Sequence, residues 1–280
     1  MSRSGMRRPL LADQARPWTG HQARSWTGHP ARLWMGYQAR LRAGGLLAGC
    51  AIVLVVLGVL FAGQTTADPF DRAVDTPVID WLAGHQTLAL WLAYPATLVP
   101  AGLVSLIAAA ICLARGWLRG AVLALLAVPV TSGLNDAIFK HLFHRTYLGA
   151  LTYPSGHAAA SSALAVALTL LVLSSGPLPG RLAALRWLIP ALAWLAVVVV
   201  AVGVIGLRWH YFTDTIGGIA LGTGTVCALA LILDLSWPPP RRPDPSQPHP
   251  SQPHPSRSRT TPPPDSAPGE PHSSRTEPGR

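Results

Sequence analysis

Hydrophobic positions along this chain gather into six long blocks, at about Gly44–Gly63, Pro95–Ala114, Gly120–Phe139, Ala158–Ser175, Trp187–Leu207 and Thr213–Leu235. The blocks are near-continuous rather than alternating, and each reaches the roughly 20 residues with which a helix crosses a bilayer. A helix that is apolar all round needs lipid or other helices about it. The pattern therefore predicts an all-α, polytopic membrane protein with six transmembrane helices in a bundle. The stretch Gln64–Tyr94 is mixed and carries Asp68, Asp71, Asp75 and Asp80; it reads as an exposed loop with short amphipathic helices. In the sixth block Gly218 and Gly222 are four apart, which permits close helix packing.

The flanks differ from the core. Residues 1–42 form a basic arm that is too long and too polar to read as a signal peptide. It repeats an eight-residue unit starting at Ala15, Ala23 and Ala31, with Arg and Trp in each copy. Arg with Trp suits an anionic membrane surface, and a disordered arm that only sets topology fits as well. Residues 237–280 are rich in Pro, Ser, His and Arg and contain Ser246-Gln-Pro-His-Pro250 twice in tandem. That composition cannot build a core and predicts disorder. The expected division is thus an arm at 1–42, a membrane domain at 43–236 and a tail at 237–280, with both termini disordered.

Composition sharpens this picture in three respects. Half the residues are hydrophobic and 12% are charged, which points to the membrane. The net charge of +10 resides mainly in the arm, short loops and tail, a distribution that fits membrane topology better than nucleic-acid binding. Cys50, Cys112 and Cys227 each fall inside an apolar block and read as small buried hydrophobes, not as a disulfide or metal framework.

Candidate chemistry sits at the mouths of the blocks. Tyr153-Pro-Ser-Gly-His157 precedes an alanine-rich helical run. Ser155 is a good N-cap, Gly156 allows close approach to the backbone, and the free N–H groups of a first turn bind anions. His157 would stand there able to give a proton to a leaving oxygen. Taken alone, the stretch also fits an ordinary Pro-Ser helix start. His210 and Asp214 are four apart, so they share a helical face, and a carboxylate on one imidazole nitrogen would free the other as nucleophile or base. Arg208 lies two residues before His210. Lys140 and Arg145, with His141 and His144 between them, end the third block, where two cations would clamp phosphate oxygens. Asp136, four residues before Lys140, is expected to hold that lysine or to cap a local network.

The order Lys140…Arg145, Pro154-Ser-Gly-His157, His210-x-x-x-Asp214 resembles the type 2 phosphatidic acid phosphatase superfamily over roughly Trp81 to Asp234. That superfamily includes lipid phosphate phosphatases and bacterial polyprenyl pyrophosphate phosphatases. The resemblance implies that Lys140, Ser155 and the Gly156 backbone bind phosphate. It implies that His157 is the general acid, that His210 is a nucleophile forming a phosphohistidine, and that Asp214 orients it. Arg145 matches an arginine found in many members. Two positions depart from the pattern: Tyr147-Leu148 stands where Arg-Pro is usual, and Val204 stands where an arginine usually precedes the histidine. Arg208 could supply the missing charge.

The expected function is a membrane phosphatase acting on a lipid phosphate or pyrophosphate, with no cofactor and no metal, since side-chain cations neutralise the phosphoryl group. The alternatives are a phosphoryl or head-group transferase on the same fold, and a decayed lipid-phosphate-binding protein. The partners are the lipid phosphate and the membrane, not nucleic acid; self-association as a homo-oligomer is left open. With the arm in the cytoplasm, the Arg115/Arg119 turn, the Arg181/Arg186 loop and Arg241-Arg242 fall inside, and both histidine motifs fall outside. A bacterial inner membrane is the expected location, with both termini cytoplasmic.

Overall fold

The computed structural model of the chain describes residues 36–175 and 183–236. The first two repeats of the arm and most of the third, the tail 237–280, and Arg181 lie outside the described residues.

Among the described residues, six helical segments are long and apolar enough to cross a membrane: Tyr37–Leu60, Gln86–Ala114, Leu118–Phe143, Gly156–Ser174, Leu185–Gly206 and Phe212–Leu235. The protein is multi-pass and all-α in character, as the hydrophobic blocks predict. The helices are α1 (Tyr37–Leu60), α2 (Pro69–Leu82), α3 (Gln86–Ala93), α4 (Leu98–Ala114), α5 (Leu118–Leu134), α6 (Lys140–Phe143), α7 (Gly156–Ser174), α8 (Leu185–Gly206) and α9 (Phe212–Ser236). A π turn, Asn135–Phe139, joins α5 to α6. A two-residue hairpin pairs β1 (Thr146–Tyr147) with β2 (Ala150–Leu151).

Two boundaries differ from the sequence reading. The first helix starts at Tyr37, ahead of the apolar block, because Arg40 turns inward to Asp234 at 2.6 Å and so belongs to the bundle. The second span starts at Gln86, because α3 runs through a short 3-10 turn at Tyr94–Ala96 into α4. Only part of Gln64–Tyr94 is therefore an inter-helical segment.

α7 and α9 form the centre and pack on each other more extensively than any other pair. Small residues make this possible. A Cβ at Gly218 would strike the Ser155 carbonyl, and one at Gly222 would strike Ser162 Oγ and the Ala159 carbonyl. The close approach that the Gly218–Gly222 spacing suggested is thus made against the helix that carries His157. Around this pair the outer helices turn large apolar side chains away from the protein, such as Ile52, Leu103, Trp187 and Leu195. In a water-soluble protein that surface would be an aggregation liability; on a spanning helix it meets lipid tails. Cys112 and Cys227 are buried and Cys50 half-buried, all three as free thiols.

At the far end of α9, Asp234 is buried between Arg40 of α1 at 2.6 Å and Arg119 of α5 at 3.9 Å. The near end of α9 faces the motifs.

Candidate active site

The segments that carry the motifs converge at one end of the bundle. Ser155 starts α7: its Oγ accepts from Ala158 N at 3.4 Å, and its own N–H donates to the Asp214 carbonyl at 2.9 Å. The entrance of α7 is thereby fastened to the first turn of α9. Tyr153, fully buried, donates its hydroxyl to the Leu54 carbonyl at 2.6 Å and ties the same loop to α1.

A cavity of about 670 Å³ opens here. Its polar wall includes Asn135, Asp136, Lys140, Tyr147, Gly156, His157, Arg208, Trp209 and His210, and its apolar wall includes Ala96, Leu98, Ala101, Val128 and Leu151. The rings of His157 and His210 are 6.4 Å apart, centroid to centroid. Trp209 stands 5.5 Å from the His157 ring. Lys140 Nζ is 2.9 Å from Asp136 Oδ1, so the expected pair forms and holds the lysine at the cavity. Arg208 takes a left-handed backbone (φ 56°), which for an L-residue is uncommon, and it lines the cavity beside His210.

Of the expected site residues, Lys140, Gly156, His157, Arg208 and His210 line this cavity; Arg145, Ser155 and Asp214 do not. The expectation that Arg145 clamps phosphate needs correcting. Its side chain is wholly buried, with Nη2 2.5 Å from Asp71 Oδ2 and Nη1 2.6 Å from both Asp214 Oδ1 and Thr213 Oγ1. The rings of Phe61 and Tyr211 flank it at 4.4 and 4.3 Å. Two carboxylates and the Thr213 hydroxyl hold its two Nη atoms away from the cavity lining, while its buried Nε has no hydrogen-bond partner among the described residues. Ser155 is likewise fully buried, and its hydroxyl caps the helix rather than facing the cavity.

The expected His210–Asp214 hydrogen bond also needs correcting. His210 Nδ1 lies 3.9 Å from Asp214 Oδ2 but 3.0 Å from the Thr152 carbonyl oxygen. A carbonyl only accepts, so Nδ1 carries the proton and Nε2 keeps its lone pair. Asp214 acts one step away. Its Oδ2 accepts from Tyr211 N at 3.0 Å, which fixes the turn that presents His210. Burial first, then the charges of His157 and Lys140, lower the His210 pKa to about 3. The imidazole is neutral, and so nucleophilic, throughout the physiological range.

Sequence reasoning missed Asp71 and Asp75. Read as loop residues, they are buried on α2. Asp71 accepts from Thr213 N and Thr213 Oγ1, both at 2.9 Å, as well as from Arg145. Asp75 accepts from Phe212 N at 3.1 Å. Together they cap the open N–H groups of α9. Their i,i+4 spacing on a segment entered by the Asp68-Pro69 cap was the available signal.

Burial, then the neighbouring Asp71, raise the Asp75 pKa to about 7, against the pull of the Phe212 N–H. Because the folded value is raised, Asp75 favours the fold fully below the unfolded value near 4, and that contribution is lost as pH rises through about 7. Asp75→Asn keeps the acceptor oxygen and removes the titration. Its melting temperature relative to wild type, in detergent, is therefore expected to climb between pH 5 and pH 8. A difference that stays flat over this range would contradict the assignment.

The two departures have structural correlates. Leu148 occupies a left-handed position (φ 49°) at the turn between β1 and β2, followed by Gly149 (φ 84°). A proline, locked near −65°, cannot sit there. Tyr147 lines the cavity with its ring 4.5 Å from Tyr211. Val204 is fully buried in an apolar cluster with Ala93, Ala96 and Val200, and is not among the residues that line the cavity. Among the described residues, no group of three His, Cys, Asp or Glu side chains is placed to hold a metal ion.

Two motif loops, each bearing a histidine at a helix entrance, thus share a cavity with a lysine and an arginine. Residues 129–237 match the PAP2 superfamily model. The matched stretch includes the π turn, α6, the hairpin, α7, α8 and α9, and leaves α1 to α4 outside. The fold also resembles the crystal structure of a transmembrane PAP2-type phosphatidylglycerolphosphate phosphatase from Bacillus subtilis, with a TM-score of 0.51 and 18% sequence identity. That match covers 68% of this chain and 94% of the other. No curated protein matches the chain significantly.

Proposed function

We propose that the protein is a membrane phosphatase that hydrolyses a lipid phosphate or pyrophosphate through a phosphohistidine on His210. The observation that carries this reading is the His210 side chain itself. Its Nδ1 is held by the Thr152 carbonyl, and it lines the same cavity as His157, Lys140 and Arg208.

In this mechanism Lys140 and Arg208 hold the phosphoryl oxygens, together with the backbone at Gly156 in the first turn of α7. The cations spread the charge that develops as the phosphoryl group transfers. His210 Nε2 attacks phosphorus in line. His157 protonates the leaving oxygen, then takes a proton from the water that cleaves the phosphohistidine. Arg145, Asp71 and Asp214 touch no substrate; they hold the α9 turn from which His210 projects. The apolar wall of the cavity suits the first part of a lipid chain. The phosphatidylglycerolphosphate phosphatase of similar fold favours a glycerolipid phosphate, and polyprenyl pyrophosphate and phosphatidate fit the same chemistry.

Charge distribution supports an extracytoplasmic site; the membrane we assign, a bacterial inner membrane, rests on the Ala-, Arg- and Pro-heavy composition. Arg40, Arg42, Arg115 and Arg119 begin or end helices at the face opposite the motifs, as cytoplasmic positive charge would. Phosphate release by the detergent-purified protein tests the reading, using phosphatidate, phosphatidylglycerophosphate and farnesyl pyrophosphate with EDTA present. Release is expected from at least one lipid. Transfer of phosphate to an added alcohol without free phosphate would make the protein a transferase, and no turnover of any lipid would make the site a binder.

A further inference from the structure

Asn135 stands where α5 gives way to the π turn Asn135–Phe139. Widened turns of this kind shift side chains off the helical register and recur at functional sites. The Asn135 side chain is fully buried, yet it lines the cavity beside Gly156 and His157. It lies against the first turn of α7: a Cβ on Gly156 would come within 3.2 Å of Asn135 Nδ2. Nδ2 donates to Asp136 Oδ1 at 3.0 Å, and that same carboxylate oxygen holds Lys140. A carboxylate only accepts, so the amide orientation is determined: nitrogen towards Asp136, oxygen away from it. That oxygen, Oδ1, is buried and has no hydrogen-bond partner. Buried acceptors are rarely left so, and one beside a catalytic histidine calls for a donor that arrives with the reaction.

The chemistry narrows what that donor is. A phosphate ester dianion has no O–H to offer, and the ester oxygen has none until it has left. The reactant that brings two O–H bonds to this end of the cavity is the water of the second step. We propose that Asn135 is a positioning residue for this hydrolytic water, a role that rests on the phosphohistidine reading above. The water takes the side of phosphorus from which the alcohol, or for a pyrophosphate the lipid monophosphate, has departed, the side His157 serves. One O–H gives its proton to His157; the other donates to Asn135 Oδ1, which turns the oxygen lone pair towards phosphorus. The new O–P bond forms as the N–P bond breaks. The electron pair returns to His210 Nε2, and phosphate leaves with His157 protonated for the next cycle.

Because Asn135 acts on the second step, its loss separates the two steps. The test follows detergent-purified protein with ³²P-labelled phosphatidate and ³²P-labelled farnesyl pyrophosphate by rapid mixing, quenched in alkaline denaturant, where phosphohistidine survives. Asn135→Leu is expected to keep the burst of leaving-group release (diacylglycerol from phosphatidate, farnesyl phosphate from the pyrophosphate), to accumulate labelled protein, and to lower steady-state turnover about tenfold or more. Asn135→Gln, which retains both an amide N–H for Asp136 and an acceptor oxygen, should recover turnover and lose the accumulation. Asn135→Ala gives the same readout if the leucine variant does not fold. Equal slowing of burst and turnover, with no labelled protein gained, would overturn the proposal and reduce Asn135 to a packing role. Phosphate release by wild type with no label trapped in any variant would instead overturn the phosphohistidine reading beneath it.

Discussion

His210→Ala is expected to release no phosphate above background from any lipid that the wild type hydrolyses. The loss should be at least about a thousandfold, equivalent to about 4 kcal/mol of barrier. The reason is positional. Among the described residues, His210 alone combines a free Nε2, a protonated Nδ1 held at 3.0 Å by the Thr152 carbonyl, and a place in the cavity lining. His157, at 6.4 Å between ring centroids, approaches from the entrance of the other helix and can protonate the leaving oxygen. In wild type, an alkaline denaturing quench during turnover of ³²P-labelled lipid should trap protein-bound label that is stable in base and lost in acid. His210→Ala should trap none. The low His210 pKa, about 3, adds a signature: no activity limb from this histidine should appear between pH 5 and 8. A variant that kept a tenth of the wild-type rate would move the nucleophile elsewhere.

Arg145→Met has the second large expected effect, and it falls on the fold rather than on substrate affinity. Removing this cation leaves Asp71 and Asp214 as two buried carboxylates without their shared partner. Breaking a buried pair in this way costs about 3–5 kcal/mol. Thermal unfolding in detergent should shift down accordingly. The double variant Arg145→Met/Asp71→Asn, which removes one of the stranded charges, should recover part of the loss. Arg208→Ala, at an exposed position of the cavity rim, should melt close to wild type while it weakens substrate binding. If Arg145→Met melted like wild type and only raised KM, the arginine would be a substrate contact after all.

These two residues also mark how far the sequence could be read. The six spans were legible because a continuous apolar run of that length has few other uses. The motifs were legible because Ser155, Gly156 and His157 are adjacent, and because His210 and Asp214 fall on one helical face. What stayed hidden depends on partners far away in sequence. Arg145 reads as a surface clamp until Asp71, 74 positions away, is seen across from it. The acceptor that sets the His210 tautomer is the Thr152 main-chain carbonyl, and no side-chain pattern announces a backbone oxygen. Tyr147-Leu148 reads as damage to a motif; in the structure the pair occupies a hairpin turn whose backbone excludes proline.

Helix α9 is fastened at both ends by buried carboxylates. Asp214 is held by Arg145 near its start, and Asp234 by Arg40 near its finish. Twenty residues of helix separate the two, about 30 Å at 1.5 Å per residue, which matches the hydrocarbon thickness of a bilayer. The helix works as a ruler with a stop at each end. Neither stop can slide into lipid without stranding a charge, so a thinner or thicker membrane must be met by tilting the bundle or deforming the lipid. The depth at which His210 stands in the bilayer is then set by the protein and not by the membrane around it.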